Sequence, residues 1–367
     1  ILCGKVPITQ DTTWSMADLP NGKVVRNTGL TTYLIDVQNE ATLTLDHIII
    51  DGGGEMFPAL KTGSACGAML YLESGTELVL NEGTVVQNCV HGSTTAAIYA
   101  NSNCKVTVND GVRIVNNDGA FTGGIIAGAG CEITINGGDV TAIGGVNNFG
   151  ENSHRVLSGN GIGPYESGSV IINGGTVKAT AKGEGFGIGG ARIYNTGAMT
   201  VTINGGEIEA TANHNNAAIG DKGNGKSGVT INGGVIHAVG KGGAAGIGSK
   251  GDIRITGGEL TVSAEGSGAA IGGFTDSYSE RVDCKSITIN GNAIKSISSK
   301  DGACIGAATG GSVGSITISD AELPLLSSNK ILIGWDADSP GGKLTIRNCH
   351  VASTDELTTR TDGIRVG

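Results

Sequence analysis

The chain has 367 residues, 65 of them Gly, with only 4% aromatic and 16% charged. Glycine at more than twice its average share of about 7% excludes an ordinary helical protein. Collagen is excluded because Gly has no three-residue period and there are only 6 Pro; simple disorder is excluded by 38% hydrophobic residues, many of them β-branched. The balance of 24 Lys+Arg against 34 Asp+Glu leaves a net charge of −10 with no basic patch, so no nucleic-acid partner is expected. No apolar run approaches the roughly 18 residues of a membrane helix, so no membrane insertion is expected either.

In chain order, residues 1–31 carry Pro7, Trp14 and Pro20 but no full repeat, which predicts an N-terminal cap. The start at Ile1-Leu2-Cys3-Gly4 has neither an initiator Met nor a signal region, as expected of a processed or truncated chain whose further domain or subunit is missing. Residues 32–351 then repeat one motif, an alternating strand closed by a polar turn, from Leu43-Thr-Leu-Asp46 through Ile133-Thr-Ile-Asn136 and Val201-Thr-Ile-Asn204 to Leu344-Thr-Ile-Arg347. Eleven copies recur 24 to 37 residues apart. Several continue through Gly-Gly into a second strand such as Glu207-Ile-Glu-Ala210, and then into a third apolar piece such as Ala217-Ala-Ile-Gly220. Three strands per turn with small residues in register predict an all-β fold, a single-stranded right-handed parallel β-helix of about eleven coils. Residues 352–367 read as a ragged C-terminal end.

Within this solenoid, Asn136, Asn173, Asn204, Asn232 and Asn290 are expected to form a structural ladder. The eight Cys are widely spaced without a CxxC, which favours buried free thiols over disulfides, and the six His show no ligand spacing. No metal and no cofactor is expected. Gly220 to Ser227 matches the phosphate-binding P-loop letter for letter, but the segment leads into strand Val229-Thr-Ile-Asn232 instead of a helix, so nucleotide binding is discounted. The nucleophile-elbow pattern at Gly310-Gly-Ser312-Val-Gly314 fails for the same reason.

Interruptions of the repeat carry the functional signal, because solenoid insertions on one side usually form the binding face. From the Ile of the Ile-Gly piece to the next strand takes six positions at Ile247 but sixteen at Ile271. These loops leave the same corner of successive coils and are expected to form a column carrying Tyr165, Glu166, Arg192, Tyr194, Asp221, Lys222, Lys250, Phe274, Tyr278, Arg281, Trp335 and Asp336. Aromatic rings among carboxylates and basic side chains suit an oligosaccharide or glycan. Trp335 is expected to be a stacking platform, since apolar alternation ends at Ile333.

The longest loop, Gly272 to Cys284, holds Asp276 and Asp283 seven residues apart. A loop that returns on itself would bring their carboxyl groups within the roughly 5 Å of a retaining glycosidase. Two such aspartates on a loop over one β-helical coil resemble the catalytic domain of the lacto-N-biosidases of gut bacteria, within the broader pectin-lyase-like β-helix group. That resemblance implies a secreted or cell-surface bacterial protein and a retaining hydrolase releasing a disaccharide from milk or host oligosaccharides, with Asp276 as acid/base and Asp283 as nucleophile. The alternative is a non-catalytic polysaccharide-binding or adhesin module, which needs the aromatics but no closely paired carboxylates. A polysaccharide lyase would call for more clustered Lys and Arg than Arg192, Lys222 and Lys250 provide.

Overall fold

A computed structural model describes residues 5–19, 21–25, 33–53, 68–89, 96–115, 117, 124–145, 159–190, 197–224, 226–276, 279–324, 326–329, 331–335, 342–351 and 364–365. Among the described residues there is no helix, and the strands form three long parallel sheets of 13, 12 and 11 strands, as a right-handed parallel β-helix requires. The first sheet takes the Ile-Gly pieces, the second the Val-Thr-Ile strands and the third the strands after Gly-Gly. No helix among the described residues is long and apolar enough to cross a membrane.

Alternation explains the stacking. In Met199–Ile203 the apolar Met199, Val201 and Ile203 point inward and are fully buried, while Thr200 and Thr202 face out. Val201 stands beside Val170 on one neighbouring coil and Val229 on the other, so every strand places its Ile or Val in a continuous core. The turn into the third sheet uses glycine where φ is positive, as at Gly175 (+86°) and Gly206 (+92°). Beside it runs the asparagine ladder: amide-to-amide bonds of 2.8 to 2.9 Å link Asn81, Asn109, Asn136, Asn173, Asn204 and Asn232. Thr256 ends that run by donating to Asn232 at 3.0 Å, and Asn290 bonds Ser319 instead.

The segment expected to be a cap contributes one strand to each sheet, at Val6–Ile8, Thr12–Trp14 and Lys23–Val25, and is thus itself a first coil. At the other end Ile364–Arg365 extends the first sheet, pairing with Ile331–Gly334. The six described cysteines are free, five of them buried; Cys3 and Cys66 lie outside the described residues. Neither discounted motif meets a helix: Gly228–Ile231 and Val313–Ser319 are strands.

Candidate functional site

The interrupted repeats do share a corner, the passage from the first sheet to the second. Its deepest feature is a short hairpin in which Phe274–Thr275 runs antiparallel to Arg281–Val282, with Phe274 opposite Val282 and Thr275 opposite Arg281. Asp276 and Glu280 close the hairpin, each backbone N–H donating at 2.8 Å, one to the Glu280 carbonyl and the other to Asp276 Oδ1.

That register decides which way the two aspartates face. Cross-strand partners share a face and successive residues alternate. Phe274, Val282 and Asp276 therefore lie on one face and are buried, while Thr275, Arg281 and Asp283 lie on the other, where Arg281 and Asp283 are exposed. The hairpin brings the two carboxylates to opposite sides instead of together. Each is also engaged. Lys222 Nζ contacts Asp276 Oδ2, whereas Ser312 donates to Asp283 through its N–H and its hydroxyl, both at 2.8 Å. Arg281 donates to the Gly310 carbonyl, so the outer strand of the hairpin is fastened to the loop of the following coil.

The buried face of the hairpin seats a second small core of Phe186, Ala217, Ala245, Phe274 and Val282 outside the solenoid. Phe274 meets Phe186 edge-on at 6.0 Å and 88°. Gly248 leaves the space it needs: a Cβ there would lie 2.7 Å from the Phe274 ring. Trp335 departs from its expected role as well. It is fully buried in the main core, because alternation continues one residue further than expected: Gly334 stands in register with Gly306, and Trp335 returns to the side of Ile333. Neither ring offers a face to a ligand.

Of the remaining column, Tyr165 is half-buried, and Glu166 and Lys250 are exposed. Asp221 is fully buried, held by Ser249 Oγ at 2.6 Å and the Gly223 N–H at 3.1 Å; burial pushes its carboxyl up to about 7 against the pull of those bonds. Arg192, Tyr194, Tyr278 and Asp336 lie outside the described residues. No cluster of metal-ligating side chains occurs among the described residues.

Two features escaped the sequence reading. Glu184 is half-buried, and its carboxyl is held above the ordinary carboxylate range first by burial and then by the charge of Asp276. It belongs to a short turn with no repeat signal. The other is a row of tyrosines on the outer face of the first sheet. Tyr33 stacks on Tyr71 at 3.8 Å and 2°, and Tyr71 on Tyr99 at 5.7 Å and 13°. Tyr71 and Tyr99 are in register, a signal present in Leu70-Tyr-Leu and Ile98-Tyr-Ala. Beside them Asn101 reaches the Tyr71 hydroxyl at 3.5 Å, and Asp36 is buried beneath Lys5 and Gln38. Burial first, then the neighbouring tyrosines, push the Tyr71 phenol up to about 12.

Compared with known proteins, the chain matches no family model, no curated protein and no solved structure. The likeness to lacto-N-biosidases thus rests on the coil pattern and the two aspartates alone.

Proposed function

We propose that the chain is a non-catalytic glycan-binding β-helix of a secreted or cell-surface protein, using the first sheet and its corner as the binding strip. The observation that carries binding over hydrolysis is the hairpin register, which turns Asp276 and Asp283 to opposite faces. A retaining mechanism needs both carboxyl groups about 5 Å apart on one substrate. Glycan as the ligand class follows from the chemistry of half-buried side chains along this strip. The tyrosine row presents ring edges and hydroxyls beside Gln38, Glu73 and Asn101, and the charge of Glu166 reaches Tyr99, which joins the row to the corner at Tyr165. Such a strip offers sugars both donors and acceptors beside apolar ring surface.

The retaining hydrolase is the competing proposal, and one experiment separates the two. The chain is screened for binding to immobilised milk-type, mucin-type and plant glycans, and lacto-N-tetraose is incubated with it while products are followed by NMR. Binding without product, weakened by Tyr71→Ala, supports the module. Product formation lost in Asp276→Asn and Asp283→Asn would restore the hydrolase.

A further inference from the structure

Lys222, Asp276 and Glu184 form a cluster that glycan binding does not use. The Asp276 side chain is 0% exposed and that of Lys222 13%, and the lysine Nζ contacts Asp276 Oδ2. Both are placed by backbone. The Lys222 N–H is held by the Gly190 carbonyl at 3.2 Å, and Asp276 Oδ1 accepts from the Glu280 N–H at 2.8 Å, which turns Oδ2 to the amine. Asn216 ties Glu184 to the same point: its N–H donates to the Thr275 carbonyl at 2.8 Å, and its side-chain amide donates to the Glu184 carbonyl. Phe186, Ala217, Ala245, Phe274 and Val282 supply the apolar surround.

Burial changes what this pair can do. Condensation would run through the amine and acid forms of the pair, reached when a proton passes from Nζ to Oδ2 across the contact. An amine held against a carboxyl group in an apolar surround, with Glu184 tied to the same hairpin through Asn216, is equipped for acyl transfer. The elevated affinity of Glu184 for its proton, set by burial and by Asp276, suits it to that role.

We infer that Lys222 and Asp276 condense into an intramolecular isopeptide bond, with Glu184 carrying the proton. The Lys222 Nζ lone pair attacks Asp276 Cγ and a C–N bond forms. Glu184 accepts a proton from the nitrogen and returns it to the departing carboxyl oxygen; the C–O bond breaks and that oxygen leaves as water. No electrons change hands, so neither oxidant nor cofactor is required. The amide would lock the hairpin to the residue that follows strand Ala217–Asp221, 54 positions earlier in the chain, and clamp the outer face of the first sheet.

Intact-mass spectrometry of the denatured full chain tests this, with peptide mapping. The expected wild-type mass is lower by one water, and a digest yields a branched peptide joining the segments around Lys222 and Asp276. Lys222→Arg keeps a cation for the ion pair, and Asp276→Ala removes the acceptor; both should show the full mass. Glu184→Gln keeps both reacting groups and should condense at least tenfold more slowly while its near-ultraviolet circular dichroism stays native, so the test survives if another variant fails to fold. A wild-type chain of full mass would reduce the pair to an ion pair only. A water deficit that persists in Lys222→Arg would place the dehydration elsewhere and overturn the assignment. The readout needs no sugar, so its outcome is independent of glycan binding.

Discussion

The two halves of the rod use the outer face of the first sheet in opposite ways. Toward the N-terminus the register column carries side chains, Asp36, Tyr71, Tyr99 and Ile126, of which the two tyrosines reach the surface. Toward the C-terminus the same column runs Gly189, Gly220, Gly248, Gly272, Gly306 and Gly334, and the surface is made by whatever folds onto it. The bare backbone is what admits Phe274 and its hairpin. A tyrosine column presents groups to solvent, whereas a glycine column creates a seat. On the proposed reading, that difference would centre ligand contact on the first half and leave the second to self-clamping.

The sharpest way to break that contrast is to put a methyl into the glycine column. At Gly306 φ is +146° and a Cβ would lie 1.9 Å from the Gly334 carbonyl oxygen, which is backbone and cannot step aside. Gly306→Ala should cost about 4 kcal/mol, adding overpacking to backbone strain. The control is Gly75→Ala in the first half, where φ is +82° but the nearest atom, 3.4 Å away, belongs to the Glu40 side chain. There about 1 kcal/mol is expected. Chemical denaturation of both variants measures the gap, and equal losses would show the column to be an ordinary row of turns.

Next in size is Phe274→Ala, which empties the seat and should cost about 3 kcal/mol. Because the small core is separate from the main one, the loss should be local. Hydrogen exchange should rise across 274–282 while the strands Leu70–Leu72 and Ile98–Ala100 keep their protection. A uniform rise along the rod would mean that the hairpin supports the whole solenoid.

Asp221 marks the second half by pH. Its folded carboxyl titrates near 7 against an ordinary value of 3.8, so between those values the native state binds a proton that the unfolded chain has lost. Stability therefore falls as pH rises through that window, and the full penalty, on the order of 4 kcal/mol, is present above it. Denaturant midpoints measured from pH 4 to pH 8 should show this slope, and Asp221→Asn should flatten it. An unchanged slope would assign the titration to another group.

The coil plan was legible because the alternating strand recurs in every unit and an Asn-Gly-Gly turn closes several, as after Val201-Thr-Ile-Asn204, and local chemistry there agrees with the global fold. The site was less legible because it depends on register. Asp276 and Asp283 are compatible with a pair when only their spacing is known, and only the pairing of Phe274 with Val282 turns them apart. Trp335 was misplaced because Gly334 carries no side chain to continue the pattern, so the alternation looked finished at Ile333 when it ran on to Trp335. Glu184 meets Asp276 across 92 residues of sequence, a distance over which no local pattern speaks.

The smallest expected effect bears most directly on function. If the tyrosine column is the ligand surface, Tyr71→Ala should weaken glycan binding by about 1 kcal/mol, since it removes ring surface and the hydroxyl that Asn101 reaches. Tyr71 sits between Tyr33 and Tyr99, so its loss also unstacks the row, and a modest fall in melting temperature should accompany the loss of affinity. Lys250→Ala and Arg281→Ala probe the other half, where both side chains are exposed at the corner. Isothermal titration with the best glycan from the screen then divides the rod. Affinity lost only in Tyr71→Ala keeps binding in the first half. Affinity lost only in the corner variants would move the ligand onto the clamped half and make the tyrosine row a structural stack whose ring faces serve one another.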